Sequence, residues 1–242
     1  KSNMKIYAET KNNLIINSDS QKALDGFEYR DYGVDYFRKE FIMTRKMDFF
    51  AKENIFVGCL DSMKYLFKKI NKLPEPIDIP KTIISDGLIH RNINFIKLSE
   101  LNELFQKNKT LLFVKPKQTK AFDNFIIKKE EDIPNINDCD IIVSDYIDIL
   151  SEFRVFVYNK KIVYSCNYKG NFRLTPDFNY IEKLIECYKD QPIAYTIDVG
   201  ILHNSDTTLI EINDFWSIGS YGLNPIIYSK MIEDRYIEIV NN

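Results

Sequence analysis

Two oily segments, AYTIDVGIL (194–202) and TTLIEIN (207–213), flank the four-residue turn HNSD, and together they demand an antiparallel hairpin with one buried face. Pairing Leu202 with Thr207 across that turn sets Asp198 opposite Glu211 and Thr196 opposite Asn213. Side chains alternate along a strand, so Ile197, Val199, Ile210 and Ile212 share one face, while Asp198, Glu211 and Asn213 share the other. Two carboxylates directly opposite one another destabilise a strand pair by up to about 1 kcal/mol unless positive charge lies between them. A divalent cation meets that need, and so does a solvated face on which each acid finds a lysine. Two carboxylates and an amide are oxygen donors suited to hard Mg²⁺, which commonly completes its shell with water and substrate phosphates.

The same alternation recurs upstream. LLFVK (111–115), FIIKK (125–129) and DIIVS (140–144) read as buried strands, and FRVFVY (153–158) with KIVYSCNY (161–168) as a hairpin turning at Asn159 and Lys160. Helices are expected from Ser99 as N-cap, from Thr175 as N-cap with Pro176 at the first position, and from about Pro225 to Val240. Before these, short strands and helices mix: IFV (55–57) leads through Gly58 into a helix with Met63, Leu66, Phe67 and Ile70 on one face. LPEPIDIP (73–80) ends that helix and makes an extended connector. These patterns predict an α+β fold, with a small α/β domain over residues 1–94 and an antiparallel domain with packed helices over residues 95–242.

With 242 residues, 45% of them hydrophobic, the chain can bury a sizeable core. Its 33 basic and 35 acidic residues leave a formal charge of -2, so overall charge favours neither nucleic acid nor an anionic membrane as partner. No apolar run approaches the roughly 20 residues needed to cross a bilayer, and no signal-peptide core opens the sequence. Cys59, Cys139, Cys166 and Cys187 are widely spaced among apolar neighbours and are expected as buried free thiols, which predicts a reducing, cytoplasmic compartment. With only His90 and His203 beside them, both read as ordinary turn or surface residues, no structural zinc site is expected.

Cationic side chains cluster where a polyphosphate would need them. In LLFVKPKQTKAFDNFII, Lys115 ends a strand, Lys117 and Lys120 stand in the next loop, and the chain turns back near Asn124. SEFRVFV alternates so that Glu152 and Arg154 share the face opposite Phe153, Val155 and Val157. A guanidinium set in a sheet needs an anion, which either a structural acid or a ligand can supply.

The ordered series Lys115, Lys120, Glu152, Arg154, Asp198 and Glu211-x-Asn213 resembles the ATP-grasp superfamily over residues 95–222. The Glu-x-Asn with its upstream Asp resembles that family's metal triad, and KP followed by a lysine-bearing loop resembles its phosphate lid. SEFRVFVYNKKIVYS with KGNFR is similar to the corresponding region of ribosomal-protein glutamate ligases and tubulin tyrosine ligases. DVG with EINDFWSIGSYG is closer still to a small ATP-grasp clade typed by one arginine and two lysines. The resemblance implies an ATP-grasp fold with the nucleotide between two subdomains, and ATP and Mg²⁺ as cofactors. It implies Lys115 and Lys120 on the α- and β-phosphates, Ser144, Asp145, Tyr146 and Ile147 as the adenine hinge, and Glu152 near the nucleoside. Arg154 and Arg173 would meet the γ-phosphate or the acyl phosphate, and Asp198, Glu211 and Asn213 would hold Mg²⁺.

The implied activity is carboxylate–amine ligation through an acyl phosphate, with an amino acid, peptide or protein as substrate. The same residues also suit a kinase acting on a hydroxyl, or a nucleotide-binding regulatory module without turnover. QTKAFDNF lacks the glycines usual in the family's lid, and LTP follows GNFR in place of a polar, glycine-containing run. The chain is also short for the family, which leaves a trimmed subdomain or a homodimer that completes the site.

Overall fold

The computed structural model describes residues 4–118 and 121–242, and among these residues the chain builds three four-stranded sheets in succession. The first is organised on β1 (Ile6–Lys11), which pairs antiparallel with β2 (Leu14–Ile15) and parallel with β3 (Val34–Phe37) and β4 (Ile55–Val57). Asn12 and Asn13 make the tight β1–β2 turn, both with positive φ, a conformation asparagine tolerates. Parallel strands need crossovers. Here α1 (Ser18–Tyr29), α2 (Lys39–Thr44) and α3 (Asp48–Glu53) supply them, and α4 (Leu60–Lys69) follows β4. Met63, Leu66 and Phe67 of α4 are buried with Ile70 just beyond, as their helical spacing requires.

The proline-rich connector then runs extended, joined to the third sheet by a single antiparallel bridge between Asp78 and Ile212, and leads into the short α5 (Lys81–Ser85). The second sheet comprises β5 (Ile93–Lys97), β6 (Leu112–Pro116), β7 (Phe125–Ile127) and β8 (Asp140–Asp145), in the antiparallel order β5-β8-β6-β7. Leu112, Val114, Ile127, Ile141 and Val143 share a core with Leu101 of α6 (Leu101–Asn108). Ser99 lies within a 3-10 turn ahead of α6 and is not its N-cap. Glu100 Oε2 accepts from Lys97 N at 2.7 Å and Asp138 Oδ1 from Ser99 N at 2.9 Å, so carboxylates close this start.

The third sheet has β9 (Ile149–Tyr158), β10 (Lys161–Gly170), β11 (Ala194–Leu202) and β12 (Thr207–Asp214), in the antiparallel order β10-β9-β11-β12. Asn159 and Lys160 both take positive φ at the β9–β10 turn, as a two-residue hairpin loop of the primed type demands. Val155, Val157, Ile197, Val199, Leu209 and Ile212 pack with Ile181, Leu184 and Ile185 of α7 (Phe178–Cys187). That helix starts after Asp177 and not at Thr175. The Asp177 carboxylate accepts from Asn179 N at 2.9 Å and Tyr180 N at 3.3 Å, satisfying two amides that have no partner within the helix.

On β11 and β12 Asp198 does face Glu211, and Thr196 faces Asn213, but the register then shifts so that Val199 faces Leu209 and Thr207 faces Ile201, not the expected Leu202. Ile210 is the extra residue of this bulge. Leu209 therefore takes the core position expected for Ile210, and Ile210 turns to the opposite face. The last helix, α8 (Pro225–Asn241), returns to the first sheet, where Tyr228, Met231, Tyr236 and Ile239 share a core with Ile6, Phe27 and Phe56. Phe156 of β9 joins that core as well, so the strand face that carries Arg154 is polar at one end and apolar at the other. The four cysteines are free and only partly buried. Among the described residues no helix is long and apolar enough to cross a membrane.

Candidate active site

The second and third sheets leave a cleft of about 500 Å³ between them. Alternation decides its lining: Phe113, Ile126 and Ile142 stand on the faces opposite their sheet's core, with Ile93, Ile79 and the bulged Ile210 completing an apolar slot. Ser144, Asp145, Tyr146 and Ile147 form one rim, where β8 ends and the backbone leaves its ladder. Tyr146 N donates to Leu111 O at 3.0 Å, and Asp145 Oδ2 accepts from Asn92 N at 3.0 Å and Nδ2 at 2.8 Å, which hold this rim in place. Glu152 borders the same cleft and accepts from Tyr168 Oη at 2.8 Å and Lys169 Nζ at 2.5 Å.

A second cavity, of about 360 Å³, shares Lys115, Asn124 and Glu211 with the first and continues toward Asn213 and Trp216. At the junction Lys115 Nζ donates to Asp78 and, at 3.2 Å, to Glu211 Oε2. Asn213 Nδ2 lies 3.0 Å from Glu211 Oε1 and 3.5 Å from Asp198 Oδ2. Asp198, with its side chain 2% exposed, accepts from Arg154 Nε at 2.8 Å and Nη2 at 2.6 Å. The Arg154 guanidinium also lies over the Tyr221 ring, 4.5 Å from its centroid. Burial works against charge on Arg154, but its bonds to Asp198 outweigh that and hold it above its ordinary value. Burial likewise opposes ionisation of Glu211, yet Lys115 and Asn213 leave its carboxyl below the usual range.

The repulsion between the facing carboxylates is thus relieved in this structure by Arg154 on one and Lys115 on the other. A hard divalent cation fits the Glu211–Asn213 pair, whose side chains already converge, provided the amide presents Oδ1 in place of Nδ2. Asp198 reaches the same point through Oδ2, the atom that Arg154 Nη2 also engages. Arg173 lies apart from this cluster, exposed on the turn after β10 with its guanidinium 5.8 Å from the centroid of Phe172. Lys120 falls outside the described residues. His203 is exposed and 2.9 Å from Asp148, and His90 stacks on Tyr180.

Two residues of the cleft carry no clear signal in the sequence. Arg91 donates to Leu209 O and, at 2.9 Å, to Ile210 O, gripping both carbonyls at the bulge. As a charged residue just ahead of a strand, it shows no local sign of burial. Asp78 is hidden in the proline-rich connector, where its placement between Ile77 and Ile79 is the only hint. Asp214, next to Asn213 in sequence, points elsewhere: Arg235 of α8 holds it with bonds of 2.7 and 2.5 Å.

Two antiparallel sheets enclosing a cleft, with acids and an ammonium at its waist, define an ATP-grasp architecture. Over residues 88–231, more than half its length, the chain matches the model of an ATP-grasp domain, family 2 of the clade typed by one arginine and two lysines, and it belongs to that family. Its structure is similar to that of D-alanine–D-alanine ligase from Bacillus anthracis, with a TM-score of 0.64 and 13% identity over 100% of this chain and 98% of that one. It is also similar to the ATP-grasp ligase PsnB complexed with a minimal precursor, with a TM-score of 0.60 and 9% identity over 97% and 100% of the two chains. A third likeness is to the macrocyclase MdnC bound with precursor peptide MdnA from Microcystis aeruginosa, with a TM-score of 0.58 and 13% identity over 95% and 99%. At these identities the likeness is one of fold. No curated protein matches the chain in sequence.

Proposed function

We propose that the protein is an ATP- and Mg²⁺-dependent carboxylate–amine ligase that acts on a peptide or protein. The observation that carries this reading is the continuity of an apolar slot with a second cavity through Lys115 and Glu211, with Asn213 beside Glu211 and Asp198 buried next to Asn213. In this reading the purine occupies the slot against Ser144–Ile147, Glu152 binds the ribose, and Lys115 meets the phosphates, with Lys120 joining from the loop. Glu211 and Asn213, with Asp198, hold Mg²⁺, which when bound neutralises and orients the phosphates. Arg154 binds the γ-phosphate through the donors that its two bonds to Asp198 leave free, and Arg173 reaches the acyl phosphate only if its turn folds inward. A substrate carboxylate oxygen attacks the γ-phosphorus, the bond to the bridging oxygen breaks, and ADP leaves. An amine then attacks the acyl carbon, loses a proton, and expels inorganic phosphate to leave an amide. The protein's contribution is positional and electrostatic, so no side-chain nucleophile is required. PsnB and MdnC are both described with precursor peptides, which favours a peptide as substrate.

The test is ADP formation with Mg²⁺ and panels of peptides, protein termini and amines, followed by mass spectrometry. The expected product has the mass of both substrates less one water, whereas a phosphoester would indicate a kinase and the absence of ADP a binding module. Glu211→Ala should abolish ADP formation while leaving the unfolding transition intact. Unchanged turnover in the folded variant would remove Glu211 from the site.

A further inference from the structure

Lys115 is the cation at the waist between the two cavities, and two carboxylates already share its ammonium. One, Glu211, belongs to the sheet. The other, Asp78, comes from the connector, 37 residues away in sequence. Its backbone is fastened on the far side by Ile212 N, which donates to Asp78 O at 2.7 Å. Its successor Ile79 is buried in the core under the third sheet. Asp78 itself has φ of 55°, the left-handed region that few side chains adopt and that aspartate tolerates better than most. Contacts on both sides therefore hold the connector in a conformation that presents this carboxylate to Lys115.

Among the described residues the cations Arg154, Lys115 and Arg91 are each already engaged: Arg154 is committed to Asp198 through two bonds, Arg91 to the carbonyls of Leu209 and Ile210, and Lys115 to Asp78 and Glu211. The Glu211 carboxylate is held a second time, by Asn213 Nδ2, which donates to its Oε1 at 3.0 Å. Asp78 can withdraw by rotating its side chain, since its attachment to the sheet is through its carbonyl. We propose that Asp78 is a positioning residue that occupies Lys115 in the nucleotide-free protein and is displaced from it by nucleotide phosphate, so that the connector competes with the ligand for one ammonium. This rests on the reading of the cleft as the ATP site.

Calorimetric titration with ADP at fixed Mg²⁺ and ionic strength tests it. Asn replaces Asp in Asp78→Asn with the same shape and the same tolerance of left-handed backbone, so the bridge to Ile212 is retained. The variant should bind ADP about tenfold more tightly, since phosphate then competes for Lys115 with Glu211 alone and no longer with Asp78 as well. In a Lys115→Met background the same substitution should change nothing, because the competition acts only through the ammonium. An unchanged affinity in Asp78→Asn overturns the proposal. A weaker affinity also does so, and would make Asp78 a ligand of the cation instead. An equal gain in the Lys115→Met background would show a structural effect and overturn it too. If Asp78→Asn and the parent both fail to bind ADP, the proposal falls together with the ligase reading, whereas normal binding without a response to Asp78→Asn removes the proposal alone.

Discussion

Arg154 lies within a sheet because Asp198 stands directly opposite it on the neighbouring strand. Sequence alternation puts Arg154 on the polar face with Glu152 and requires an anion, but it does not say which one. Glu152 is the nearest acid on that face, yet its carboxylate is taken by Tyr168 and Lys169. A planar guanidinium grips a carboxylate at two points, and an ammonium cannot reproduce that fork. Arg154→Lys should therefore lower the unfolding free energy by about 1–3 kcal/mol. If Arg154 also steadies the transferring phosphoryl group, ADP formation should fall about a hundredfold with little change in ATP affinity. Urea unfolding and ADP rate on one preparation check both effects, and a destabilised variant with full rate per folded molecule would retire the catalytic assignment.

The β12 bulge shows what an element adds to its residues. Alternation along TTLIEIN correctly sets Glu211 and Asn213 on one face, and it places Ile210 in the core. The additional residue reverses that position, sending Leu209 inward and Ile210 into the cleft. A bulge leaves little mark on composition, because its cause lies across the fold: Arg91, 118 residues from Leu209, binds the carbonyls at this point. Arg91→Ala should leave those two partly buried acceptors without their donor and destabilise the protein by about 1–2 kcal/mol. Hydrogen exchange should localise the loss to β12, with amides near Glu211 exchanging faster than those of β9. Uniform protection across both strands would mean that the bulge holds itself and Arg91 is incidental.

At the scale of the molecule, partly buried tyrosine–carboxylate pairs tie α8 to the third sheet on one side and to the first on the other. Tyr158 of β9 donates to Asp234, and Tyr32, just after α1, donates to Glu233. Burial first, and then those carboxylates, push both phenols up to about 12. A raised value in the folded state means that folding favours the protonated phenol. The resulting stability is complete below the ordinary tyrosine value near ~10 and is lost as pH rises from there through about 12. The urea midpoint should accordingly fall across that window, and Tyr158→Phe should show a shallower fall than the parent. Equal slopes would indicate that other groups govern the alkaline limit.

Whereas β1, β2, β3, β5 and the short helices leave no comparable pattern, local periodicity is enough to determine the strands from β6 to β12 together with β4, helices α4, α6, α7 and α8, and the polar and apolar faces of β9 and β11. Those properties depend on residues close in sequence or joined by one short turn. Helix starts are less legible, since Asp177 and Glu100 displace the hydroxyl caps expected at Thr175 and Ser99. Tertiary structure alone decides which cation meets which acid: Arg154 with Asp198 across 44 residues, and Lys115 with Asp78 across 37 and with Glu211 across 96. The strength and partner of a charge depend on distance in space and on how much water the surrounding elements remove, and neither is set until the two sheets and the connector have packed together.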